Sequence, residues 1–210
     1  MARDLSSKCK RCRRAGEKLF LKGERCASVK CAMIRKAYAP GVHGKKMGRG
    51  LSEYGKQLAM KQRIKRVYGI LEKQFRKHFD DVKGKEGIVG NLLMIRLEMR
   101  LDNVVYRMGL ASSRSAARQM VGHGLIKVND RRLTIPSALV KVGDSVKVNE
   151  TKKEKKYFKE LSGTLKNRKD IPSWISVDAA NFEGKILSTP DVSNIGVNAD
   201  PQLVVEYYSR

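Results

Sequence analysis

Four cysteines fall in two close pairs, Cys9-Lys-Arg-Cys12 and Cys26-Ala-Ser-Val-Lys-Cys31, with thirteen residues between them. One short loop can bring thiolates at C-x2-C and C-x4-C spacing to the corners of a tetrahedron, the geometry of structural Zn2+. Lys8, Lys10, Arg11, Arg13, Lys30 and Arg35 lie close in sequence and favour the thiolate form. An iron–sulfur cluster takes the same ligands, and two disulfides or four free thiols are the remaining alternatives. No apolar signal region follows Met1, so the expected compartment is the reducing cytoplasm, where disulfides do not persist. The spacing therefore predicts one Zn2+ on Cys9, Cys12, Cys26 and Cys31, with His43 left as a loop residue rather than a ligand.

A second constellation lies between Arg100 and Gly124. Leu97, Leu101, Val104, Val105 and Met108 form one helical apolar stripe, with Arg100 and Arg107 off it and Gly109 closing the helix. Ser112 or Ser113 caps the next helix, whose apolar face is Ala116, Ala117, Met120 and Val121 and whose outward residues are Arg114, Arg118 and Gln119. A first turn offering hydroxyls, open N–H groups and an arginine suits a phosphate. The plainer alternative is a helical hairpin with a solvated basic face.

Charge decides between them. The chain has 210 residues and a net charge of +24, and residues 1–50 alone carry 15 basic and 3 acidic side chains. A folded chain so charged repels itself unless it neutralises a polyanion, and nucleic acid is the leading candidate. An anionic membrane is the competing polyanion, but no run approaches the roughly 18 apolar residues of a spanning helix.

These groups must be held by several kinds of element. The loop Ala39-Pro-Gly-Val-His-Gly-Lys-Lys-Met-Gly-Arg-Gly50 excludes a long helix. From Ser52 to Phe79 the pattern is helical, with Leu58, Ile64, Val67, Tyr68, Leu71, Phe75 and Phe79 on one side and Lys61, Arg63, Lys65, Arg66, Lys73, Arg76 and Lys77 on the other, basic one. Gly84 to Gly90 reads as a loop, and a further helix starts at Asn91. After Gly124 the period becomes that of strands: Ile126–Val128, a turn at Asn129-Asp130, Arg131–Ile135, Leu139–Val142 and Ser145–Val148. Glu150 to Lys169 reads as a charged helix, Trp174–Val177 and Lys185–Leu187 as two strands, and Asp200-Pro201 as the start of a C-terminal helix packing onto residues 51–95. His123, Lys127, Asn129 and Arg131 extend the candidate RNA-binding set from the second helix of the pair into the first hairpin.

No catalytic constellation emerges. Gly41-Val-His-Gly-Lys-Lys46 lacks the glycine spacing, the hydroxyl after lysine and the preceding strand of a phosphate loop. His43, His78 and His123 stand in no motif, so the chain is read as a non-enzyme without a small-molecule substrate.

Arg-Leu-Asp-Asn-Val-Val-Tyr-Arg-Met-Gly at 100–109, Ser-Arg-Ser-Ala-Ala-Arg-Gln at 113–119, Ala-Pro-Gly-Val-His-Gly at 39–44 and Leu-Val-Val-Glu-Tyr-Tyr-Ser-Arg at 203–210 closely resemble bacterial small-subunit ribosomal protein four, in order and over the whole chain. Residues 97–148 alone also resemble an RNA-binding module of pseudouridine synthases, a tyrosyl-tRNA synthetase tail and heat-shock RNA binders. The resemblance implies a cytoplasmic protein of the ribosome, a primary binder of 16S ribosomal RNA that nucleates the body of the small subunit. It further implies contact with ribosomal protein five, and a place beside the entrance pore for messenger RNA, faced by Lys45, Lys46 and Arg49, with an influence on decoding accuracy. The four cysteines match the metal-bearing members.

The expected fold class is α+β. A metal-bound N-terminal segment spans 1–48, a helical domain spans 49–96 and is completed by 190–210, and an inserted RNA-binding domain spans 97–189. That insert has its core at 97–148, two helices and a small, mostly antiparallel sheet. Distributed cations on rigid supports fit recognition of folded RNA by shape and phosphate geometry. With aromatics at 6%, a platform for stacking single-stranded bases is disfavoured. A zinc-dependent DNA-binding regulator and an RNA-modifying enzyme are the other readings. The first lacks a recognition helix after the cysteines, and the second lacks room for a catalytic domain.

Overall fold

The computed structural model describes residues 4–45, 50–166, 170–196 and 199–210. In chain order the helices are α1 (Lys8–Ala15), α2 (Glu24–Ala27), α3 (Ala32–Arg35), α4 (Glu53–Tyr68), α5 (Glu72–Asp80), α6 (Val89–Glu98), α7 (Leu101–Arg107) and α8 (Arg114–Gly122). The strands are β1 (Ile126–Val128), β2 (Arg131–Arg132) and β3 (Ser145–Val148), then after α9 (Lys156–Lys166) β4 (Ile175–Asp178) and β5 (Glu183–Ile186), and α10 (Gln202–Tyr208) ends the chain. Two compact units result, one made of 1–94 with 197–210 and the other of 95–196. Among the described residues no helix is long and apolar enough to cross a membrane.

In the first unit, the Ser52 hydroxyl accepts from the Gly55 N–H and caps α4. The helix stops at Gly69, whose φ of 65° lets its N–H turn back to the carbonyls of Lys65 and Arg66. The helical pattern running on to Phe79 is thus two helices, not one: the apolar stripe resumes after the bend, so periodicity alone does not reveal the break. Ile64, Val67, Tyr68, Phe75, Phe79, Leu93 and Met94 form the buried centre. The Asp200 carboxylate accepts from the Gln202 N–H at 2.9 Å and starts α10, which lays Val204 and Tyr208 against α4 and α5. The helix expected from Asn91 begins two residues earlier, at Val89. Gly90 meets Pro201 there so closely that a β carbon would lie 2.9 Å from the proline ring.

In the second unit, α7 and α8 pack on a five-stranded antiparallel sheet of order β2-β1-β3-β5-β4. The predicted stripe is not one helix: Leu97 lies in α6, which ends at Glu98, and Arg100 is extended, while Leu101, Val104, Val105 and Met108 are sealed beneath the pair with Ala117, Val121, Ile126, Val146 and Val148. Asn129 and Asp130 both adopt positive φ, 46° and 66°, as a two-residue turn between twisted strands requires. The returning strand is shorter than the alternation predicts: only Arg131 and Arg132 pair with β1. Leu139–Val142 forms no strand. Its backbone bridges Arg100 through Leu139 and joins Met99 through the Val140 N–H, and β3 pairs instead with β5. The charged stretch from Glu150 opens with a 3-10 turn over Glu150–Lys152, and in α9 the side chains of Phe158 and Leu165 are buried.

Candidate nucleic-acid interface

The arginines of the 100–118 stretch do not stand free, as the periodicity led us to expect. Arg100 is buried, 2% exposed, and meets the Asp102 carboxylate at 2.9 Å. Arg118 reaches the same carboxylate at 2.9 Å from α8. Glu98, wholly buried at the end of α6, accepts from Asn103 Nδ2 at 2.8 Å and from Arg107 Nε and Nη2 at 2.8 and 2.9 Å. Arg107 also donates to the carbonyl of Ile195. Arg114, in the first turn of α8, donates to Asn103 Oδ1 at 2.7 Å, lies 3.8 Å from Glu98 and covers the Tyr106 ring at 4.6 Å. The side chains of Arg107, Arg114 and Arg118 keep 15–18% of their area at the surface. Period gave the side of the helix on which each arginine sits; it could not show the acids that cover it.

Around this frame the groups exposed to solvent are Ser112, Ser115, Gln119, His123, Asn129, Arg131 and Arg132, with Lys127 half-buried. Ser113 is the residue that caps α8, its hydroxyl accepting from the Ala116 N–H, and it is itself buried. Asn129 is fixed by donating to Asp144 at 2.8 Å and accepting from the Ser145 N–H at 2.9 Å. Asp130 pairs with Lys147, whose hydrogen bond and charge hold its carboxyl below the usual aspartate value. Arg132 was missed in the sequence. Its guanidinium lies over Gly124, where a β carbon would overlap it, and φ of +67° also favours glycine. Gly124, two residues before the first strand, is the one signal that could have pointed to it.

In the first unit the basic face of α4 is equally occupied. Lys61 is 4% exposed, bonded to Glu72 at 2.7 Å and set over the Tyr207 ring at 4.4 Å. Lys65 takes the other Glu72 oxygen at 2.8 Å, and Arg63 pairs with Glu17. Arg66 is half-buried, and burial, followed by repulsion from Arg11 and Arg14, lowers its pKa. These four are read from sequence as free cations; three of them are tied to carboxylates, and α10 covers Lys61. Lys45 is exposed, 5.5 Å from the Tyr38 ring, whereas Lys46 and Arg49 lie outside the described residues.

The four cysteines form no disulfide and line one small cavity with Lys8, Leu21, Lys22, Arg25, Ala32 and Met33. Cys12, Cys26 and Cys31 are buried, and the Lys22 N–H donates to the Cys26 sulfur at 3.3 Å. Burial raises the Cys12 thiol pKa, opposed by a backbone hydrogen bond from Leu19 and reinforced by the other three cysteines. Four sulfurs on one cavity are a donor set of the right chemistry for a thiophilic ion. Among the described residues, however, no three His, Cys, Asp or Glu side chains close into a cluster able to hold a metal.

Comparison with known proteins follows the same division. The Ribosomal protein S4/S9 N-terminal domain family matches residues 3–98, and the S4 domain family matches 99–146. Small ribosomal subunit protein uS4 of Syntrophomonas wolfei is 49% identical over 210 residues, covering all of both chains. The chain belongs to the uS4 family. Other uS4 proteins, from Desulfitobacterium hafniense at 48% and Thermus thermophilus at 46%, are likewise similar over 210 residues and the full length of both chains. The seam between the two family segments, after Glu98, falls at the carboxylate on which Arg107 and Asn103 converge.

Proposed function

We propose that this chain is a structural, non-catalytic constituent of the small ribosomal subunit that binds 16S ribosomal RNA in the cytoplasm. The observation that carries this reading is the match to uS4 proteins from end to end, with no residue of either chain left over. The net charge of +24 supplies the electrostatics, and rigid helices and a sheet hold the cations, as recognition of folded RNA by phosphate geometry needs.

Finer assignments follow from the resemblance. The chain acts as a primary binder that joins early and nucleates the subunit body. It contacts ribosomal protein five, and it borders the messenger path through Lys45, Lys46 and Arg49. On the second unit, Ser112, Ser115, Gln119, His123, Lys127, Arg131 and Arg132 form the RNA-facing rim from α8 to the first hairpin, supported by the exposure of all of them but the half-buried Lys127. Cys9, Cys12, Cys26 and Cys31 hold one Zn2+, which closes a segment too polar to build its own core, supported by their shared cavity.

The test is affinity for a junction-containing 16S fragment against a DNA duplex of equal length, titrated over salt. Binding to the RNA that persists at salt concentrations abolishing duplex binding supports the reading. Equal, steeply salt-sensitive binding to both refutes it.

A further inference from the structure

A chain with 45 basic and 21 acidic residues sinks two of its carboxylates beneath the arginines of its α7–α8 pair: the side chain of Glu98 is 1% exposed and that of Asp102 6%. Burying a carboxylate is unfavourable unless it is fully paired, and an apolar residue of similar size is often at least as stable there. Simple charge neutralisation makes no sense of the placement either, because each acid weakens attraction to RNA. What the acids do provide is geometry. Glu98 grips Arg107 through two parallel hydrogen bonds, and through Asn103 it braces Arg114, whose guanidinium is donated to Asn103 Oδ1 and laid on Tyr106. Asp102 joins Arg118 to Arg100 across the two helices.

We propose that Glu98 and Asp102 are positioning residues for RNA binding: they fix Arg107, Arg114 and Arg118 before the RNA arrives, so that these partly exposed side chains meet phosphates without being ordered on contact. The inference rests on the RNA-binding reading given above and extends it to residues that touch no RNA. A long side chain ordered in advance is worth roughly two- to tenfold in affinity, so releasing Arg107 and Arg114 together costs about tenfold.

Glu98→Gln in the full chain tests it, because charge and positioning act with opposite sign. The substitution raises net charge by one and sets an amide NH2 against the donors of Arg107 and Asn103. Arg114→Lys is the companion: it keeps the charge in the first turn of α8 but loses the planar fork. Affinities are measured for the 16S fragment and for the DNA duplex, with amide protection of Val104 and Val105 reporting the fold. The expected result is an affinity for the RNA about tenfold lower in Glu98→Gln and about threefold lower in Arg114→Lys, duplex affinity unchanged or higher, and protection retained.

RNA and duplex affinities that move together in Glu98→Gln, whether upward through charge or downward through lost protection, overturn the proposal, as does parental RNA binding by Arg114→Lys. If Glu98→Gln does not fold, Arg114→Lys decides alone by the same criterion. A parent chain without preference for the RNA overturns the RNA-binding reading and this inference with it, whereas a preference unchanged in the variants overturns the inference only.

Discussion

Replacing Glu72 by Gln should loosen the C-terminal helix. Burial raises the Glu72 pKa, but hydrogen bonds from Lys61, Lys65 and Tyr208 and the charge of Lys65 outweigh it and hold the carboxyl at about 2 instead of 4.5. Converted in full, that drop corresponds to roughly 3 kcal/mol at 1.36 kcal/mol per tenfold. The side chain is 44% exposed, so solvent screening reduces the figure to about 1–2 kcal/mol. The variant also strands Lys61, 4% exposed, without its counter-charge. A total near 2 kcal/mol would speed exchange of the Val204 and Val205 amides about 30-fold if they exchange by release of α10. Because the folded pKa is depressed, the stabilisation is complete above about 4.5 and is lost as pH falls from there towards 2. The parent should therefore lose protection across that window and Glu72→Gln should not. Parental exchange rates in the variant at neutral pH, or an undiminished acid response, would refute the reasoning.

Ser113→Ala removes the cap of α8 and should lower stability of the second unit by about 1 kcal/mol, read from thermal unfolding through Trp174, the chain's single tryptophan. Gly124→Ala meets both a φ of +67° and the Arg132 guanidinium, and a loss of about 1–3 kcal/mol is expected by the same signal. Arg118→Ala leaves Asp102 with Arg100 alone, so it should cost about 1–2 kcal/mol of stability in addition to any RNA affinity, measured by denaturant titration. Chelation, or Cys9→Ser with Cys12→Ser, should make residues 1–48 protease-sensitive and abolish bound zinc by elemental analysis while 97–148 stay resistant.

Helices were legible where one repeating pattern met one clear boundary. The Leu101–Met108 part of the stripe, the Ser113 cap and the Asn129-Asp130 turn each state a local rule that nothing distant opposes, whereas Leu97 belongs to the preceding helix, because the chain extends at Arg100 to bridge Leu139. The bend at Gly69 was hidden because the apolar period survives it in phase. Leu139–Val142 alternates like a strand, yet its backbone bonds go to Met99 and Arg100, forty residues upstream in rough terms, which no local pattern encodes. The cations were misplaced for the same reason. Whether Lys61 or Arg100 faces water depends on Glu72, Tyr207 and Asp102 reaching it from another turn or another element.

The order of the two units along the chain has a consequence for synthesis. Everything needed to finish the second unit, residues 95–196, leaves the ribosome before α10, whereas the first unit cannot cover Lys61 until α10 emerges. The part made first is therefore completed last. A chain stalled just short of Gln202 carries a whole α7–α8 pair and sheet and an unfinished helical unit. Such a product keeps the α7–α8 pair but lacks the tyrosine rings that lie over Lys61, so the seven residues of α10 set when the first unit is finished.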